Sequence, residues 1–314
     1  MSRHIAVVGA GLVGSGWTIV FARAGLPVRV FDRDSQIRET FLNQVRANLD
    51  DLQDYGLIDH AEAVIERIEV VDSLECAVRG AHYVQESVLE QTAVKQTVCA
   101  QIDSVLDEGT VVGSSTSGIP ASAFTEGLAN RQGFVVAHPV NPPYLAPVVE
   151  IVPAPWTSPE TVETTAALMR DVGQVPVCLT REIEGFLLNR LQGALLREAW
   201  ALYEEGYASA ADIDKTVADG LGLRWSFMGP FETIDLNAPG GVADYAERLG
   251  PLYHSIARSR VDPQPWNDTL IQKIAEERRT AVAQADLPER RAWRDRRLMA
   301  LAAHKARQGR VTGT

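Results

Sequence analysis

Several absences narrow what this chain can be. Its cysteines, Cys76, Cys99 and Cys178, are odd in number, widely spaced and form no C-x-x-C pair. That pattern excludes a disulfide framework and a thiolate metal site, and it fits reduced thiols, two on helices and one on a strand. Basic charge is scarce: 30 Lys and Arg stand against 41 Asp and Glu, a formal charge of −11. The positive footprint that nucleic acid or an anionic membrane surface requires is therefore missing. No apolar run is long enough to span a bilayer, and a strand that begins at His4 leaves no room for a signal peptide. These absences predict a cytoplasmic protein that binds no metal, no nucleic acid and no membrane. No internal repeat or low-complexity tract interrupts the chain. The composition, 46% hydrophobic and 23% charged, is that of an ordinary globular protein, and 314 residues exceed one ordinary domain, so two are expected.

The first residues carry the strongest motif. His4-Ile5-Ala6-Val7-Val8 reads as a β-strand running into Gly9-Ala10-Gly11-Leu12-Val13-Gly14, a G-x-G-x-x-G turn that opens a helix over roughly 15–24. Gly9 allows the tight turn, Gly11 lets a diphosphate approach the backbone, and Gly14 lets helix and strand pack closely. Leu12 and Val13 complete the cofactor-binding segment, where unpaired helix N–H groups point at the phosphates. A second apolar strand, Val28-Arg29-Val30-Phe31, ends in Asp32, near the ~20-residue spacing of a ribose-binding carboxylate. A carboxylate there accepts from both ribose hydroxyls and repels a 2′-phosphate, which selects NAD over NADP. Arg33 is either a solvated loop arginine or a partner for that 2′-phosphate.

Further along, a helical pattern over 34–55 closes at Gly56. Apolar runs at 68–71, 83–84, 110–113, 133–136, 148–152 and 175–179 then alternate with helical segments, including 92–106. Alternation of this kind predicts a mostly parallel sheet with helices on both faces. From Glu182 the strand patterns stop, and helical patterns cover 184–205, 210–218, 231–236, 268–285 and 289–307. The fold class is α/β: a Rossmann-type NAD-binding domain at 1–183, followed by an all-α domain at 184–314. In the last helix Arg290, Arg291, Arg294, Arg296 and Arg297 alternate with Trp293, Leu298 and Leu301, the pattern of a packed amphipathic helix with a basic solvent face.

The chemistry concentrates in Ala137-His138-Pro139-Val140-Asn141-Pro142-Pro143 and the following strand Val148-Val149-Glu150-Ile151-Val152. If the segments fold back around Tyr144, His138 and Glu150 are equidistant from the turn and face one another. A buried glutamate needs a partner, and this one would fix the tautomer of the imidazole and raise its basicity. The spacing alone equally fits a strand-end histidine and an independent surface glutamate. Gly113-Ser114-Ser115-Thr116-Ser117 puts hydroxyls at the sheet edge where open α/β sheets bind ligands. Gly185-Phe186-Leu187-Leu188-Asn189-Arg190 sets an asparagine inside an apolar helix; an isolated Ser or Asn of this kind is ordinarily a cap or a satisfied amide.

Taken together, GAGLVG, SSTSG, AHPVNPPY with VVEIVP, GFLLNRLQGAL and GLGLRWSFMGPFETIDLNAPGG resemble the L-3-hydroxyacyl-CoA dehydrogenase superfamily, and most closely its lambda-crystallin / L-gulonate 3-dehydrogenase branch. The resemblance runs nearly end to end. It implies that His138 is the general base, that Glu150 orients it, and that Ser117, Asn141 and Asn189 line the reacting centre. It also implies that Glu90 and Lys95 lie against the cofactor, although the pair would otherwise read as a solvated helix start. Hydride transfer to NAD follows, with Ser117 and Asn189 stabilising the alkoxide, and the helical domain is expected to form a homodimer.

Two departures bear on the substrate. The acyl-CoA members carry a lysine-rich segment that meets the CoA phosphates, whereas residues 47–66 here contain no Lys or Arg and do contain Asp50, Asp51, Asp54, Asp59, Glu62 and Glu66. Arg224, in Leu223-Arg224-Trp225-Ser226, sits in what resembles a short insertion and offers a fork for a free carboxylate; as a surface arginine before a helix it would do neither. Trp225 suits packing, or the aromatic face that a trimethylammonium group prefers. The expected substrate is a small free L-3-hydroxy acid, L-gulonate first. An acyl-CoA thioester, L-carnitine and a non-catalytic crystallin-like role are the alternatives.

Overall fold

The computed structural model describes residues 4–308. Its centre is one eight-stranded sheet in the order β3-β2-β1-β4-β5-β6-β7-β8. The strands are β1 (His4–Val8), β2 (Val28–Phe31), β3 (Ile68–Val70), β4 (Ala81–Glu86), β5 (Val111–Ser114), β6 (Phe134–Pro139), β7 (Val148–Pro153) and β8 (Val175–Cys178). All neighbours pair in parallel except β6 and β7. The strand direction reverses there because only the short segment around Tyr144 joins them, too short for a crossover.

The strands are apolar on both faces because both faces are covered. In β1, Ile5 and Val7 enter one core with Trp17, Phe21 and Leu49, while Ala6 and Val8 enter the other with Val84, Cys99 and Phe124. The covering helices are α1 (Leu12–Arg23), α2 (Ser35–Asp54), α3 (Ala61–Ile65), α4 (Leu74–Val78), α5 (Thr92–Asp103), α6 (Ser122–Thr125) and α7 (Pro159–Asp171). Asp34 caps α2 by accepting from the Gln36 N–H, and Gly56 ends that segment at φ +67°. The cysteines lie on α4, α5 and β8, all unpaired.

Beyond the sheet come α8 (Leu188–Glu204), α9 (Ala210–Lys215), α10 (Gly222–Trp225), α11 (Pro230–Leu236), α12 (Gly241–Arg258), α13 (Asp268–Ala281) and α14 (Leu287–Gln308). Sequence periodicity missed α12. Gly240, Gly241, Gly250 and Pro251 punctuate that stretch as a loop would, yet Pro251 lies inside the helix.

The described residues divide into two compact units, 4–190 with 291–308, and 191–290. This differs from the 183/184 division expected from the sequence: the chain returns, and the end of α14 belongs to the first unit. Met299, 1% exposed, joins the core of Trp17 and Tyr144 there. Within the second unit, Arg260 forks onto Glu198 and Glu205 at 2.9 and 2.7 Å, and Trp200 stacks on Trp266 at 4.3 Å. No helix among the described residues is long and apolar enough to cross a membrane.

Candidate active site

Strand order reverses between β1 and β4, so a crevice opens at the carboxyl ends of these strands, the position where open α/β sheets bind ligands. The glycine turn lies in it. Gly9 has φ +102°, and a Cβ there would stand 2.5 Å from the Ser87 carbonyl oxygen; one on Gly14 would stand 1.8 Å from the Gly9 carbonyl oxygen. Over Gly11, in contrast, a Cβ would meet nothing within 4 Å, and Gly11 as N-cap brings no side chain to the first N–H groups of α1. This is a cradle closed beneath and open above, the shape a diphosphate needs. Leu12, two-thirds exposed, and the half-buried Val13 stand at its mouth.

At the end of β2, Asp32 accepts from the Ala10 N–H at 2.8 Å and from the Asp34 N–H at 3.0 Å. Its carboxylate is thereby locked beside the glycine turn where a ribose would lie. Arg33 is exposed and forms no ion pair among the described residues. These features fit a bound NAD.

The antiparallel pairing of β6 with β7 sets His138 directly opposite Glu150. His138 Nδ1 and Glu150 Oε2 are 2.8 Å apart, and both residues are buried. The other carboxylate oxygen, Oε1, accepts from the backbone N–H groups of Leu187 and Leu188 at 2.7 and 2.9 Å. Burial alone would raise the Glu150 carboxyl, but His138 and the two N–H groups outweigh it and hold the group below the usual carboxylate range. The backbone is bent to make this possible. Gly185 at φ +76° and Phe186 at φ +50° turn the chain so that the start of α8 points at Glu150. The Phe186 ring lies 5.6 Å from that of His138, tilted by 54°. With Nδ1–H given to the carboxylate, His138 presents its Nε2 lone pair.

Ser117 and Asn189 meet: the Asn189 amide donates to the Ser117 carbonyl at 2.6 Å. Glu90 Oε1 receives the Ser117 N–H at 2.7 Å, the Thr116 hydroxyl at 2.8 Å, and the Ser117 hydroxyl and Gly118 N–H at 3.1 Å each. Four donors on one oxygen exceed its lone pairs, so the Ser117 hydroxyl is the easiest to release toward another acceptor. Asn141 is exposed just beyond β6, and the buried Pro143 that follows closes against α1, where a Cβ on Gly16 would stand 2.6 Å from its ring.

The environment of Lys95 differs from a cofactor contact. Its side chain is 1% exposed, 3.0 Å from both oxygens of the fully buried Glu86 and 3.5 Å from Glu90. Lys95 thus reaches the crevice only through Glu90. Glu86 also accepts from Ser114 and from the Val88 N–H. Sequence reading passed over Glu86, although the polar run Gln85-Glu86-Ser87 at the end of an apolar strand is a visible signal. Arg224 lies on α10 in the second unit, exposed and without an ion pair among the described residues.

Residues 4–183 match the model of the 3-hydroxyacyl-CoA dehydrogenase NAD-binding domain, and residues 185–286 that of the 3-hydroxyacyl-CoA dehydrogenase C-terminal domain. The chain belongs to the 3-hydroxyacyl-CoA dehydrogenase family. It is accordingly an NAD-dependent oxidoreductase acting on CH–OH groups. Within the family it is 39% identical to lambda-crystallin of Oryctolagus cuniculus over 96% of both chains. L-carnitine dehydrogenase of Streptomyces griseus is 37% identical over 79% of this chain and 74% of that protein. Among solved structures, the NAD+-dependent 5-formyl-3-hydroxy-2-methylpyridine 4-carboxylic acid 5-dehydrogenase superposes with a TM-score of 0.82 at 27% identity, over 96% of this chain and 97% of that one.

Proposed function

We propose that this family member oxidises the 3-hydroxyl of a small, free L-3-hydroxy acid to the 3-keto acid, with L-gulonate as the leading substrate. The observation that carries the chemistry is the buried His138–Glu150 pair at 2.8 Å. In this reading His138 Nε2 takes the hydroxyl proton while the C3–H bond breaks and C=O forms. NAD, when bound, takes up the hydride. Glu150 keeps the imidazole in the accepting tautomer and balances the charge it gains. The second amide hydrogen of Asn189 and the releasable Ser117 hydroxyl supply hydrogen bonds to the alkoxide oxygen, and Asn141 lines the same centre.

Free acid is favoured over thioester by charge. Residues 47–66 contain no Lys or Arg, and the flanking arginines are engaged. Arg46 forks onto Glu62, with Nη2 3.2 Å from Oε1, and Arg67 donates to the Ala63 carbonyl at 2.6 Å. That acidic stretch is a poor surface for a polyanionic nucleotide, whereas Arg224 forms no ion pair among the described residues and is suited to a carboxylate. Two relatives, L-carnitine dehydrogenase and the pyridine carboxylic acid dehydrogenase, are named for free acids. The chain is further proposed to act as a homodimer, supported by the apolar side chains that its second unit exposes.

NADH absorbance with L-gulonate, 3-hydroxybutyrate, L-carnitine and 3-hydroxybutyryl-CoA tests the reading. A free acid is expected to give the highest kcat/KM; a clear preference for the thioester overturns the proposal and restores the acyl-CoA alternative.

A further inference from the structure

A chain of hydrogen bonds in the first unit plays no part in the chemistry above. The Tyr83 hydroxyl lies 2.8 Å from Gln85 Oε1, and Gln85 Nε2 lies 2.8 Å from Ser115 Oγ. Trp17 Nε1 donates to the same Ser115 oxygen at 3.1 Å, and Ser87 Oγ stands 2.8 Å from it. Gly113 makes room for the start of the chain, since a Cβ there would lie 2.0 Å from the Tyr83 hydroxyl.

Counting donors gives the chain a direction. Tyr83 is 1% exposed, and among the described residues its hydroxyl finds only Gln85. Turning the Gln85 amide around would bury the phenolic proton without an acceptor, an unfavourable arrangement. Burial also pushes the Tyr83 phenol far above its ordinary range, so it stays a donor. Gln85 therefore accepts from Tyr83 and donates to Ser115. An indole N–H only donates, so Ser115 Oγ receives two N–H groups, its lone pairs are filled, and its one proton goes to Ser87. Ser87 accepts that proton and keeps its own, for which no described residue supplies an acceptor.

Ser87 follows β4 directly, at the crevice where strand order reverses. Its carbonyl oxygen lies 2.5 Å from the Cβ position of Gly9, and its Cβ 3.5 Å from that of Gly14. We propose that Ser87 is a cofactor-binding residue whose hydroxyl, aimed by the chain from Tyr83, donates to an oxygen of the diphosphate–nicotinamide-ribose portion of NAD. The assignment rests on the cofactor and is independent of the substrate.

Calorimetric titration with ADP-ribose and with AMP tests it without turnover. Ser87→Ala should weaken ADP-ribose by roughly 3- to 12-fold, the worth of one hydrogen bond, and leave AMP within about twofold. Tyr83→Phe keeps the ring and frees Gln85 to take the Ser115 proton, which draws the Ser87 proton back to Ser115. It should weaken ADP-ribose by less than Ser87→Ala does, and the double variant should be no worse than Ser87→Ala, because both changes act on one chain. Unchanged ADP-ribose affinity in Ser87→Ala, equal losses for AMP and ADP-ribose, or fully multiplicative losses in the double variant would overturn the proposal. Wild-type protein that bound neither ligand would overturn the cofactor assignment, and this proposal with it.

Discussion

The two units use the same kind of sequence signal and resolve it differently. In the first, alternate strand residues enter two separate cores, and the polar groups buried between them are partnered: His138 with Glu150, Lys95 with Glu86, Tyr83 with Gln85. In the second, α9, α10 and α12 bury no residue at all, and apolar side chains stand open to solvent. On α12 the stripe Val242, Leu252, Tyr253 and Ile256 is 44–54% exposed. Helical spacing satisfied inside the chain makes a core; the same spacing left unsatisfied is a surface awaiting cover. The difference leaves precise geometry in the first unit and, in the second, an exposed apolar stripe that supports the association proposed above.

The largest blow to the first unit is expected from Glu150→Gln. Its amide N–H would face Nδ1 and force the proton onto Nε2, the tautomer that cannot act as base. Steady-state kinetics should show kcat down on the order of 10²–10⁴-fold, by analogy with the triad carboxylate. Fold stability should fall as well, because Glu150 also holds the start of α8. The wild-type carboxyl is depressed in the fold, so its contribution is present above the unfolded value near ~4.3 and is lost as pH falls through the folded value. The Tm gap between wild type and Glu150→Gln should therefore be steady near neutrality and narrow as pH falls below about 4.3. A gap constant from pH 3 to 7 would show that the ionised carboxylate is not what holds these groups.

In the second unit, Arg224→Ala should lower kcat/KM for a free acid by roughly tenfold to over a hundredfold, the loss of a charge-assisted bond worth ~1.5–3 kcal/mol. Affinity for NAD, read by calorimetry, should stay within twofold, and Arg224→Lys should recover only part of the loss. Indifference of the free-acid rate to Arg224 would remove Arg224 from substrate recognition.

A smaller effect is expected at Asp32. Asp32→Ala removes the ribose acceptor and the repulsion of a 2′-phosphate together, so the ratio of NADP to NAD affinity should rise about tenfold. An unchanged ratio in cofactor titrations would remove Asp32 from the assignment. The smallest effect on the first unit should come from Leu252→Glu and Ile256→Glu on α12. These are expected to shift a sedimenting dimer toward monomer while ADP-ribose affinity stays within twofold. A wild-type monomer at micromolar concentration would contradict the association proposed for the second unit.

What was legible in the sequence followed from local rules. The glycine turn and Asp32 could be read because each position has a conformational or charge requirement of its own. His138 faces Glu150 because both lie six residues from Tyr144 in a reversed pair of strands. Tertiary choices were not legible. Lys95 looks solvent-exposed in sequence and becomes buried only because Glu86 arrives from the end of β4. Helix α12 was hidden by its own glycines and proline, and the return of α14 to the first unit depends on contacts that no local pattern encodes.

The central claim, that His138 is the base of this dehydrogenase, is tested most directly by the turnover of His138→Ala at saturating substrate and NAD. The account predicts NADH formation slower by on the order of 10²–10⁴-fold, with the Kd for ADP-ribose unchanged within twofold. Near-normal turnover would contradict it.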